Sequence, residues 1–448
     1  MPPEQRPVTR RKSISTLVQV RCEATWVSAI LVALFFFYSF SPIGTRAVGT
    51  LRWFHVLAFS FIVFITNFGR FNLRAAVPFL LVTGLTTVGS FIVPIRTGFD
   101  DDVLNNSRGL VVALFSNLLI LPALAGERCR RLVVLALLAA SLFWAFRLNV
   151  LIAELGDAAR TDLAGPGRDR NFICFILGIG VVIFLGAGLF WPPRRQWSRV
   201  MRPAALGGSL ALLVVLPYTF SRSGIITSLV IILLGLFFYV LKNKVRAIAL
   251  VLFLLVAMAG LARVIVPAVL TALPSWEIHF DRLLHWQTDD DMSVRRQLLE
   301  KGWEIVNANP LIGVGPGMSK GYRGVREGFL LHNGYLTAWA ELGLAGVASC
   351  LVLVGYWVAE VRQKIRNREA WTCDLVCLLV GGQMLGMNLF LDFSSIYWYV
   401  ATLVCAVVYD RRLSSYASWL SLPRARRAGR RTNPDASLPG TIRGCPRG

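Results

Sequence analysis

His332 and Asn333 stand where a polar stretch of the chain gives way to the apolar run that begins Gly334-Tyr335-Leu336 and continues past Gly346. An imidazole exchanges protons near neutral pH, so a histidine on the rim of a bilayer helix points to proton-transfer chemistry at a membrane surface. The second group of reactive residues is basic: Arg147 and Arg263 fall late in apolar segments, Arg222 in a turn between two of them, and Arg295 at the start of a loop helix. A guanidinium in the membrane costs roughly 2.5–3.5 kcal/mol on insertion scales unless it is paired, and its planar fork suits two adjacent phosphate oxygens. For Arg147 and Arg263, snorkelling at a helix end competes with facing a polar cavity. Arg222 lies in the tight Ser221-Arg222-Ser223-Gly224 turn, where snorkelling is the weaker reading.

Other polar clusters carry less. Asp100-Asp101-Asp102 and Asp289-Asp290-Asp291 are consecutive, so their carboxylates diverge, and no metal is expected there. Gly313-Val314-Gly315-Pro316-Gly317 resembles a phosphate-cradling turn but has no strand before it. His279 and His285 read as the surface of an amphipathic helix. Asp392 could orient a base. Cys373 and Cys377, four residues apart, read as small buried residues rather than ligands.

The elements that must position these groups are membrane helices. The chain has 448 residues, 55% hydrophobic and only 16% charged, against about a quarter charged in soluble domains. About twelve apolar runs are long enough to cross a bilayer. They lie near 26–42, 53–69, 76–94, 109–126, 132–151, 171–191, 204–220, 224–241, 247–269, 334–359, 373–391 and 395–409. The first lacks a small-residue cleavage site and is followed by more spans, so no cleaved leader is expected. The fold class is therefore an all-α polytopic membrane protein.

Basic loops set the orientation. The N-terminal arm, Arg70/Arg74, Arg128/Arg130/Arg131, Arg194 to Arg202, Lys242 to Arg246, Arg362 to Arg368 and the C-terminal tail alternate with loops poor in net charge. The formal net charge of +22 thus reports topology and attraction to anionic lipid, not nucleic-acid binding. The expected organisation is a basic cytoplasmic arm (1–25), nine membrane helices (26–269), one large outer loop (270–332), three more helices (333–409) and a disordered basic cytoplasmic tail (410–448). The loops at 95–108 and 153–170 are of moderate length.

Within the large loop, Ser293 to Asn307 reads as a helix with acids at its start, ended by Asn309-Pro310. Leu299, Trp303 and Val306 make one apolar face, and Arg295 shares it. Arg296 aligns instead with Glu300 and Glu304, as in an exposed ion pair.

Three blocks resemble the O-antigen ligase/polymerase family of bacterial envelope enzymes: His332-Asn333 followed by Gly343 and Gly346; Ser293-x-Arg295 through Trp303 with Asn309-Pro310-Leu311-Ile312-Gly313-Val314-Gly315; and Ser221-Arg222-Ser223-Gly224. The likeness covers roughly 204–360. Arg168-Asp169-Arg170-Asn171 departs from it, since that family often has a Pro-Asn pair where the sixth span begins. The roles of Arg168 and Arg170 stay open between a phosphate contact and hydrogen bonding around Asp169.

The resemblance implies a GT-C-like, metal-independent glycosyltransferase of the bacterial inner membrane, without a cofactor. Both termini would be cytoplasmic, and the large loop and active site periplasmic. It would move a glycan from an undecaprenyl-pyrophosphate carrier to a glycan, lipid or protein acceptor such as the lipid A core, with inversion. His332 would handle the acceptor proton, Arg222, Arg295 and Arg147 would hold the pyrophosphate, and Asn333, Ser221, Arg170 and Asp392 would support them. A repeat-unit polymerase is the same-class alternative. A transporter or lipid-linked sugar flippase, from another class, would call for polar residues at mid-bilayer and related halves, whereas the polar groups here cluster at the outer rim.

Overall fold

The structure is a computed structural model that describes residues 26–40, 51–97, 101–155, 170–190, 198–219, 221, 224–237, 239, 252, 256, 260, 263, 267, 271, 290–321, 331–366, 373–387 and 402–413. Among these residues every regular element is helical. In chain order they are α1 (Trp26–Phe40), α2 (Leu51–Asn67), α3 (Leu73–Thr97), α4 (Asp101–Leu124), α5 (Glu127–Leu155) and α6 (Arg170–Phe190). There follow α7 (Ser198–Val215), α8 (Gly224–Phe237), α9 (Asp290–Ala308), α10 (Gly334–Arg366), α11 (Cys373–Met387) and α12 (402–413).

By length and composition, α3, α4, α5, α6, α7 and α10 are able to cross a membrane, and α1, α2, α8 and α11 are shorter apolar helices. The chain is a multi-pass helical membrane protein. The expected ninth span lies outside the described residues except for exposed helical positions 252, 256, 260, 263 and 267, the fourth of which is Arg263. The expected loop at 95–108 is largely helix, because α3 runs to Thr97 and α4 starts at Asp101.

The core is built round α6. Its residues 173–183 are buried without a break, and it packs against α5, α7 and α11, while α10 packs against α3 and α11. An all-round apolar helix must be enclosed by others, whereas α7 and α10 leave apolar side chains facing outward, as spans bordering lipid do. Not every polar group lies at the rim, contrary to the expectation from sequence. Gln383 donates to Ser228 Oγ at 2.8 Å between α11 and α8, and Thr86 donates to Ser349 Oγ at 3.0 Å between α3 and α10. These pairs join helices, and such bonds act as glue between spans.

One end of the bundle is closed by charge. Arg130, 1% exposed at the start of α5, donates from Nη1 to the carbonyls of Leu124 (2.9 Å) and Ala125 (2.7 Å). Its Nη2 pairs with Asp410 at 2.7 Å and Asp374 at 3.0 Å. Lys364 reaches Asp374 at 3.2 Å, Arg411 reaches buried Glu360 at 2.7 Å, and Tyr409 donates to the Arg70 carbonyl at 2.7 Å. The basic segments around residues 70, 130, 364 and 411 therefore meet at one end, as the alternation of basic loops requires. The other end holds the candidate site.

Candidate functional site

The site starts from a strained residue. His332 has φ +51°, the one positive value among the described non-glycine residues. An L-residue takes that conformation at a cost, and such residues persist only where their surroundings over-determine them. Here the constraint comes from both sides. Leu331 is buried in a small core with Leu298, Ile305 and Val306 of α9 and Leu336 and Ala340 of α10. Asn333 is the N-cap of α10: its Oδ1 accepts from the Leu336 N–H at 3.0 Å, and its carbonyl accepts from the Thr337 N–H and hydroxyl at 2.8 and 2.9 Å. The backbone of His332 is held between an apolar anchor and a cap, and the residue is half-buried.

α10 is not continuous. At Gly343 (φ +61°, ψ −147°) the helix breaks, and the turn after α9 is stitched into the gap. In an unbroken helix the Ala340 carbonyl would accept from the Leu344 N–H. Instead Leu344 donates to the Leu311 carbonyl at 3.1 Å, and the Ala340 and Glu341 carbonyls accept from Val314 (2.8 Å) and Gly315 (2.9 Å). The orphaned backbone groups of the break are thus satisfied by the Pro310-Leu311-Ile312-Gly313-Val314-Gly315 turn. A side chain at Gly313 would collide with the Glu341 backbone, and one at Gly343 with that of Leu311. Ser319 donates to the buried Glu341 carboxylate at 2.6 Å and closes the turn on its far side.

α9 differs in detail from the sequence reading. Leu298, Gly302, Ile305 and Val306 are buried, but Leu299 and Trp303 are exposed. The buried face is rotated toward Leu298 because Gly302 admits the Leu336 side chain. Arg295 stays on the inward side, between the columns of Gly302 and Val306, and is half-buried. Arg296 pairs with Glu300 at 3.0 Å in solvent, as expected.

A second cap lies at the start of α8. Ser221 Oγ accepts from the Gly224 N–H at 3.2 Å and donates to Asn171 Oδ1 at 2.7 Å, tying the Ser-Arg-Ser-Gly turn to the start of α6. Asn171 was not singled out from the sequence; its signal was its place in the segment that departs from the family pattern. Glu341 was also missed, although it is the only acid in the apolar first half of α10. The two caps share one end of the bundle: Tyr335, in the first turn of α10, donates to the Leu385 carbonyl of α11 at 2.7 Å, and α11 reaches α8 through Gln383 and Ser228.

Arg147 is half-buried near the end of α5, which packs on α6. Arg170 opens α6. Arg222 and Asp392 lie outside the described residues. The structure therefore brings His332, Asn333 and Arg295 to the α9–α10 junction and Ser221 to the neighbouring cap.

No curated protein matches the chain. Residues 207–352 match the family model described as O-Antigen ligase, a stretch that includes the Ser221 cap, α9, the Gly343 break and the His332–Asn333 pair. The matched stretch is 146 of the 448 residues, and over it the chain is similar to the O-antigen ligase family.

Proposed function

We propose that the protein transfers a glycan from an undecaprenyl-pyrophosphate carrier to an acceptor hydroxyl at the periplasmic face of the bacterial inner membrane, as an O-antigen ligase does. The observation that carries this reading is the backbone of His332, held in a strained conformation between Leu331 and the Asn333 cap. Strained residues cluster at functional sites, and this supports a working role for His332.

In this mechanism the acceptor hydroxyl attacks the anomeric carbon, the bond to the pyrophosphate oxygen breaks, and the configuration inverts. His332 takes or positions the hydroxyl proton. Negative charge grows on the departing pyrophosphate, and Arg222, Arg295 and Arg147 hold it, with Arg170 and Asp392 in support. Fixed donors of this kind contribute about 2.7–4 kcal/mol each to the transition state in comparable sites. The bond from Ser221 to Asn171 roots the residue before Arg222 at the start of α6.

The test uses purified protein in lipid with a lipid-pyrophosphate glycan and an acceptor. Arg222→Lys keeps one charge but loses the fork, and transfer is expected to fall at least tenfold. Wild-type transfer by Arg222→Lys would remove Arg222 from the clamp. Repeat-unit acceptors against lipid acceptors, in the same assay, separate polymerase from ligase.

A further inference from the structure

α9 has three faces, not two. One side is buried against α10 through Leu298, Gly302, Ile305 and Val306. Another is charged and exposed, with the pairs Arg296–Glu300 and Lys301–Glu304. Between them runs a narrow apolar strip, Leu299 and Trp303, the latter 48% exposed. Trp303 meets Trp339 of α10 edge to face, with ring centroids 5.5 Å apart. Trp339 in turn donates to the Pro310 carbonyl at 3.0 Å.

Leu311 follows in the turn and is 69% exposed. Its carbonyl accepts from Leu344, which fixes its level along α10. Leu344, Leu351 and Val358, seven residues apart, form an exposed apolar stripe on that span, as expected of a face turned to lipid. At about 1.5 Å per residue, Trp339 lies roughly 8 Å and Leu344 roughly 15 Å from the start of the span. Exposed Leu311 therefore lies level with the first residue of the stripe, and Trp303, against Trp339, lies nearer the start of the span.

The backbone of the turn suits that depth. Irregular chain in an apolar medium is tolerated only where its polar groups are paired. The carbonyls of Asn309, Pro310 and Leu311 all accept hydrogen bonds, and the N–H groups of Gly313, Val314 and Gly315 all donate them.

We propose that α9 and the turn after it are sunk into the leaflet at the Gly334 end of α10, with Leu299, Trp303 and Leu311 against lipid acyl chains. α9 lies at the interface with its charged face outward, the arrangement expected of an amphipathic interfacial helix with a tryptophan at headgroup level. This places the wall of the site beside His332 in contact with the bilayer, and it holds whatever reaction the site performs.

The test is collision spectroscopy on the full chain, with its native cysteines replaced, in phosphatidylethanolamine–phosphatidylglycerol vesicles. Nitroxide labels are placed singly at Trp303→Cys, Leu311→Cys and Glu304→Cys, with Leu351→Cys as the lipid-facing reference. Labels at 303 and 311 should relax several-fold more with oxygen than with a water-soluble nickel chelate, as at 351, and the label at 304 should do the reverse. Nickel accessibility at 303 and 311 equal to that at 304 would overturn the proposal. So would shielding of both from either agent, which would mean that protein covers the strip. In the protein with its cysteines intact, headgroup-proximal brominated lipid should quench less tryptophan emission after Trp303→Phe; an unchanged quenched fraction would also overturn it.

Discussion

At the scale of the residue, His332 is the point where conformation and chemistry meet. Its φ of +51° makes an unusual substitution pattern a direct expectation. Alanine there pays the left-handed penalty of about 1–2 kcal/mol that glycine escapes. His332→Gly should therefore unfold at higher temperature than His332→Ala, while both lose glycan transfer. The reverse order of stability, measured by thermal unfolding in nanodiscs, would mean that the backbone there is not strained. Asn333 is expected to act as a cap and not as a reactant. Asn333→Ala should lower stability by about 1 kcal/mol, and Asn333→Ser, which can still cap, should keep near-normal transfer. The sequence made the pair visible as a candidate, since a histidine before an apolar run stands out on sight. The division of labour between them was not visible, because a cap is a matter of two backbone angles and one 3.0 Å bond.

At the scale of the element, most helices could be read directly. Spans such as α6 announce themselves through long apolar runs, and α9 ends at Ala308 because Pro310 follows two residues later. The break in α10 could not be read that way. A glycine within an apolar run is common in membrane helices, and only its partner reveals the break, the turn thirty residues earlier that supplies the missing hydrogen bonds. Gly343→Ala adds about 1–3 kcal/mol of backbone strain before its collision with Leu311 is counted. Loss of folded protein together with loss of transfer is expected, and a Gly343→Ala protein with wild-type melting would refute the stitched break.

The α6–α8 junction behaves differently, since its bond is a single hydroxyl to a single amide oxygen. Asn171→Ala should reduce the rate of transfer at saturating donor, and Asn171→Asp, which keeps an acceptor oxygen, should restore most of it. Equal transfer by Asn171→Ala and wild type would show that the Ser221 turn needs no such root. The rotation of the buried face on α9 was likewise illegible. Leu298 and Leu299 are the same residue type, and the choice between them is made by Leu336 filling the space above Gly302.

At the scale of the whole molecule, the bundle has two unlike ends. One is a structural clasp in which Arg130 satisfies two carbonyls and two carboxylates drawn from α11 and α12. Removing one partner of a buried ion group leaves the others uncompensated, at about 3–5 kcal/mol. Arg130→Ala should therefore sharply lower the yield of folded protein in membranes. A normal yield and melting temperature would show that the clasp is dispensable. From sequence, Arg130 was one basic loop residue among many that set orientation. Its burial became evident only when Asp374 and Asp410 were brought beside it from 244 and 280 positions further along the chain.

The opposite end carries two caps, a broken helix stitched by a turn, and a strained histidine. The proposed function assigns the reaction to the His332 end. It is tested most directly by incubating purified wild-type and His332→Gly proteins, both verified as folded, with a lipid-pyrophosphate glycan and acceptor, and measuring the acceptor-linked product. Product from wild type and none above background from His332→Gly is the expected result. Equal product from both would contradict a role for the imidazole in the transfer.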